Sequence, residues 1–231
     1  VSDHSKIETA TFPRQEHPSL LLLPTQHPAN ALILTVDCGD FSFKRRAAQD
    51  ILAKGLEEPF FSELRTKQQT AYLVANSAEE LERHLYSFFA IQSSSHDTGD
   101  LLARIQHFLE SSLQQLDEKV ITKNRFETIQ RSFIHKLQHP APNMQTMGAL
   151  LNGLAFDYDG DFEWLDKRIQ AFKSLTYEEF EVFAKEFLGK ASQRLLVVGV
   201  NGSLPLKKEI AYPPITTLDK IRGEIFYKGR D

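Results

Sequence analysis

Residues 58–72 read Glu58-Pro59-Phe60-Phe61-Ser62-Glu63-Leu64-Arg65-Thr66-Lys67-Gln68-Gln69-Thr70-Ala71-Tyr72. The stretch closes one periodicity and opens another. Before it, Ala48, Ile51, Leu52, Leu56, Phe60 and Leu64 recur every three to four residues, one apolar face of a helix that starts near Phe43. After it, Tyr72–Asn76 (YLVAN) is apolar and β-branched enough for a strand. Pro59 falls inside the helical pattern. It has no N–H and its ring crowds the preceding turn, so a kink or a restart is predicted there, with Pro59 at the first position of a new turn.

Working outward, Leu20–Leu23 is a short apolar strand stopped by Pro24, and Thr25–Asn30 is a turn around Pro28. Ala31–Cys38 (ALILTVDC) is a second strand, and His84–Ser93 (HLYSFFAIQS) a fourth after Tyr72–Asn76. The short connection between the last two favours an antiparallel pair. Helical stripes then follow. Leu101, Leu102, Ile105, Leu109, Leu113 and Leu116 form one. Thr122 is placed to cap a helix that Pro140 stops, and Met144, Met147, Leu150, Leu151 and Leu154 mark another. Phe162–Leu175 is a further helix around Trp164. Thr176 and Glu179 have the spacing of a capping box before Phe180, Phe183 and Phe187, closed by Gly189. Arg194–Val200 (RLLVVGV) is a last strand. This order predicts an α+β fold, a largely antiparallel sheet with helices packed on one face. Residues 1–18 read as an extended lead-in, 19–200 as the domain and 201–231 as a tail.

The 231 residues carry 27 Lys+Arg against 31 Asp+Glu, a net charge of −4. That balance gives no ground for a nucleic-acid or anionic-membrane partner. A single cysteine, Cys38, excludes an intrachain disulfide framework and a Cys-rich zinc site, and assigns no compartment. No apolar run has the length of a membrane span. Glycine-rich phosphate-cradling patterns are absent from the sequence. The abrupt start at Val1 reads as a piece of something longer.

The 58–72 stretch closely resembles a signature of the insulinase/pitrilysin metallopeptidases, the inverted zincins, of the type E-P-x-F-x-x-L-R-T-x-x-Q-L-G-Y. Glu58, Pro59, Phe61, Leu64, Arg65, Thr66, Gln69 and Tyr72 match at the same spacing. Thr70 stands where Leu is usual and Ala71 where Gly is usual. The element order from about residue 19 to about 200 also resembles one domain of that family, the metallopeptidase (LuxS/insulinase-like) domain. Members of the pitrilysin type hold four such domains, two per half, around a chamber, and this chain resembles the last of the four plus its tail. The resemblance implies a soluble zinc endopeptidase as the parent protein, with peptide substrates and with the zinc-bearing N-terminal half as this chain's partner. It leaves further oligomerisation open. It implies substrate binding by Arg65, whose rigid fork suits backbone carbonyls. Tyr72 would both bind substrate and stabilise the developing oxyanion as a neutral donor.

The zinc in this family is held by H-x-x-E-H on the first helix of a domain and a Glu downstream. The corresponding stretch Arg46–Leu56 contains no His. His135-Lys136-Leu137-Gln138-His139 has the His spacing, but Gln138 cannot serve as a base and Pro140 follows at once, so it reads as a chance pair on a frayed helix end. No metal ligands are therefore assigned, zinc is expected only in the complete enzyme, and the isolated chain is expected to be inactive. Asp157–Asp161 reads as a turn, since its Gly160 is misplaced for a calcium loop. Cys38 reads as a small buried hydrophobe, and His84 as a solvated strand end. The alternative function keeps the fold without the chemistry. The family also contains structural domains, as in core subunits of respiratory complexes and non-catalytic partners of processing peptidases. The joint presence of Arg65 and Tyr72 argues against that alternative.

Overall fold

The alternation of Asn30–Asp40 (β3) organises the domain. Leu32, Leu34, Val36 and Cys38 project to one side and are at most 3% exposed, whereas Ile33 on the other side is 43% exposed. The structure, a computed structural model, describes residues 8–11, 18–189, 195–203, 205, 207–210 and 226–229. On one flank β3 pairs antiparallel with His84–Ser93 (β5), which pairs antiparallel with Leu73–Leu81 (β4). On the other flank it pairs antiparallel with Leu195–Asn201 (β6), and β6 pairs in parallel with Ser19–Pro24 (β2). The five-stranded order is β2-β6-β3-β5-β4. Glu8–Thr11 (β1) and Phe226–Gly229 (β7) form a separate antiparallel pair, so the stretches read as lead-in and tail meet each other.

Helices cover the Leu32–Cys38 side. Phe43–Phe61 (α1) is capped by the Ser42 side chain and places Phe60 edge-on to Phe89 of β5, with ring centroids 5.4 Å apart. Thr98–Gln114 (α2) starts on an Asp97 cap beside β3 and β6. Lys123–Gln138 (α3), Trp164–Ser174 (α5) and Tyr177–Leu188 (α6) complete the layer, with Thr122 and the Thr176–Glu179 capping box at their expected places. The α+β fold with a largely antiparallel sheet is thus the observed one.

Three details depart from the sequence reading. Helix α1 neither kinks nor restarts at Pro59. It runs to Phe61 and continues as a π-helical segment over Ser62–Lys67, with the Ser62 N–H shared between the carbonyls of Glu58 and Pro59. One missing hydrogen bond does not stop a helix whose inward residues Leu56, Phe60 and Leu64 are at most 1% exposed. The strand read at Tyr72–Asn76 begins at Leu73 and reaches Leu81, because its polar second half alternates along the sheet edge. It turns into β5 through Glu82 and Arg83, both with positive φ (49° and 62°). Such a turn normally asks for Asn or Gly. Here Arg83 is pinned instead, its guanidinium 4.3 Å from the Trp164 ring and 4.8 Å from Tyr158. Third, Met144–Phe156 (α4) buries only Leu154 of its stripe, and Met144 is 91% exposed.

Behind α1 lies a buried charge cluster. The Asp50 carboxylate accepts from Arg46 at 3.2 Å and from Arg168 of α5 at 2.5 Å. Removing the acid strands two guanidiniums that are each 13% exposed. Asp50→Ala is therefore expected to cost about 3–5 kcal/mol, read as a lower urea midpoint. An unchanged midpoint would show that the cluster carries no weight.

Candidate functional site

The segment after α1 is anchored from below and free above. Leu64 is 0% exposed and fixes the middle of the π-helical turn. Its carbonyl accepts the Thr70 N–H at 3.0 Å, closing the loop that leads to β4. Thr70 is 1% exposed, and its own carbonyl accepts the Ser93 hydroxyl of β5. Between these two anchors Gln69 takes a left-handed conformation (φ 50°). The left-handed position is thus Gln69, and Ala71 has no need of a glycine's freedom there. The Tyr72 N–H then joins the sheet, donating to the Gln92 carbonyl at 2.9 Å.

This path brings Arg65 and Tyr72 together. The Arg65 guanidinium carbon lies 5.8 Å from the Tyr72 ring centroid and 5.1 Å from that of Phe61. All three side chains are exposed, Tyr72 to 78%. Among the described residues neither the guanidinium nor the phenol has a hydrogen-bond or ion-pair partner. A fork of donors and a neutral O–H donor therefore sit side by side facing outward, a pair suited to carbonyl oxygens and to developing negative charge. Below them Gln68 is tied to Glu63 and to Arg104 of α2, at 3.0 and 2.5 Å. The Gln68 amide first, and then Lys67, holds the Glu63 carboxyl below the usual range.

Other candidates resolve differently. The His135 and His139 rings lie 4.7 Å apart, but a His139 ring nitrogen is engaged with the His135 carbonyl at 3.1 Å. Among the described residues no group of three or more His, Cys, Asp or Glu converges on one point. The described side chains thus do not fit a zinc site, and no helix among them is long and apolar enough to cross a membrane. Asp157–Asp161 is a turn with positive φ at Asp159 and Gly160, and Asp161 pairs with Lys167 at 2.8 Å. His84 is not solvated. It is 3% exposed, with one ring nitrogen 2.6 Å from Asp37 and the other 3.3 Å from Asp40. The charges flanking it in sequence obscured a side chain that the strand's alternation turns toward Asp37 on β3.

The geometry defines an α+β domain presenting one polar pair at the end of its first helix. A family model described as PQQ synthase PqqF-like, C-terminal lobe domain 4, matches residues 51–150, which contain that pair. A nardilysin-like protein of Arabidopsis thaliana is 26% identical over 157 residues, 66% of this chain and 15% of the relative. Insulin-degrading enzyme of Drosophila melanogaster is 22% identical over 176 residues, 76% of this chain and 17% of that protein. The chain thus spans about a sixth of the length of these relatives. In fold, a crystal structure of pitrilysin superposes with a TM-score of 0.75 at 18% identity, covering 100% of this chain and 25% of that one. In sequence the chain is thus similar to peptidases of the insulinase/pitrilysin type, and over residues 51–150 to a domain of their C-terminal lobe.

Cys38 takes no part in this surface. It is 3% exposed, and burial pushes its thiol up to about 11. A disulfide reagent at pH 8 is expected to label it only as fast as the protein unfolds. Rapid stoichiometric labelling of the native chain would contradict that burial.

Proposed function

We propose that this chain, with its domain over 19–200, is the closing, zinc-free domain of a zinc-dependent endopeptidase, and that Arg65 and Tyr72 are its contribution to peptide-bond hydrolysis. The observation that carries the reading is the outward-facing pair itself, without a hydrogen-bond or ion-pair partner among the described residues. An exposed arginine ordinarily finds a carboxylate or loses itself in solvent. This one lies against two aromatic rings, and its donors are free of partners among the described residues. In this reading Arg65 binds backbone carbonyls of an extended peptide and holds the chain in register. Tyr72 also touches the substrate, and its O–H donates to the oxygen on which negative charge grows as the peptide bond is attacked. A donor already fixed in place gains strength as the charge develops, and it costs no reorganisation at that moment. The metal belongs, in this reading, to the N-terminal half of the parent chain, the partner against which this pair would close, since the described residues here do not form a site for it.

The 231 residues alone are expected to hydrolyse no peptide. In the full-length protein, Tyr72→Phe and Arg65→Met are each expected to lower kcat/KM by about 100-fold. Because both side chains are solvent-facing, the unfolding free energy should stay within about 0.5 kcal/mol of the parent. Wild-type peptide kinetics in both variants would overturn the reading. The domain would then stand as the structural or subunit-interface member of its family.

A further inference from the structure

We propose that Gln68, held by Arg104, is the positioning residue that keeps Tyr72 beside Arg65. The proposal rests on the reading of Tyr72 given above. Among the described residues the pair has no side-chain hydrogen bond to fix it, so its mutual placement comes from the turn that separates the two residues. That turn contains Gln69 at φ 50°. A non-glycine residue in the left-handed region persists only where its surroundings over-determine it.

The surroundings are the residues on either side. Before Gln69, the Gln68 Nε2 donates to Glu63 Oε1 at 3.0 Å, tying the turn back to the start of the π-helical segment. The Gln68 Oε1 accepts from Arg104 Nη1 at 2.5 Å and from the Thr70 hydroxyl at 3.4 Å, so one amide bridges the residues flanking Gln69 and an outside helix. Arg104 is aimed by its own helix, its Nε donating to Asp100 Oδ2 at 2.7 Å one turn earlier. After Gln69, Thr70 is locked by Leu64 and Ser93. The chain Asp100–Arg104–Gln68 therefore connects the first turn of α2 to the loop that aims the phenol. Neither Gln68 nor Arg104 belongs to the matched positions of the 58–72 motif, and neither is stacked on the Arg65–Phe61–Tyr72 surface.

Two measurements on the full-length protein test this. In Gln68→Leu the amides of Thr70 and Tyr72 are expected to exchange with solvent about tenfold faster, with exchange in the middle of α2 unchanged. Peptide hydrolysis is expected to lose about tenfold in kcat with KM nearly constant, and Arg104→Met should do the same while Arg104→Lys recovers part of the loss. In a Tyr72→Phe background Gln68→Leu should cost nothing further, because its effect runs through the phenol. If Gln68→Leu does not fold, Gln68→Asn, which keeps the amide and shortens its reach, serves in both measurements. Unchanged exchange at Thr70 and Tyr72 overturns the proposal, as does an equal loss of kcat with and without the tyrosine hydroxyl. Should Tyr72→Phe alone leave the kinetics at wild type, the catalytic reading of the tyrosine has failed, and the exchange result by itself decides whether Gln68 positions it.

Discussion

The loop that carries Arg65 and Tyr72 hangs on the burial of Leu64. Its side chain is wholly enclosed, while the residues on both sides of it turn outward. Leu64 lies one turn beyond Phe60 on the same inward face, within the π-helical segment Ser62–Lys67, and Arg65 beside it is exposed. The carbonyl of the same leucine then receives the Thr70 N–H, so one buried residue fixes both the exit of the helix and the entry of the loop. A cavity at this point would loosen the loop as well as the core, because the surface chemistry is held by the packing beneath it.

The local parts of this architecture were legible because they are decided by neighbours in sequence. Thr122 and the Thr176–Glu179 box cap helices with atoms three residues away, and both sit where the spacing puts them. The strand His84–Ser93 announces itself by its bulky apolar residues and has those same limits in the structure. The misreadings share the opposite cause. Pro59 is overruled by a core assembled from distant strands. Arg83 adopts a turn conformation that its own chemistry does not favour, because Trp164 and Tyr158 arrive from much later in the chain. His84 looks polar and exposed until Asp37 is seen across the ladder.

The candidate site divides in the same way. Arg65 and Tyr72 could be singled out by the pattern around them, and no periodicity would have done so. The approach of Tyr72 to Arg65 and the left-handed Gln69 go with the closure of a loop by Thr70 and Ser93. The tether through Arg104 lies outside the motif, on another helix, and a reading of 58–72 by itself has no means of finding it.

The position of β6 carries one more consequence. Strands β2 and β3 follow each other with only a short turn between them, yet they are not neighbours: β6 lies between, with Val198 opposite both Leu21 and Ile33. The entire helical layer separates β3 from β6 in sequence. Until the last strand is available, the facing edges of β2 and β3 have no backbone to bond, and the sheet cannot close however well the helices have formed. Such long-range pairing is slow relative to local structure and leaves apolar strand edges open in the interval. During synthesis the order of events is then set by topology, with the helices and the β4–β5 hairpin first and the closing of the sheet last. The parallel pair formed at that step joins opposite ends of the domain in a single act.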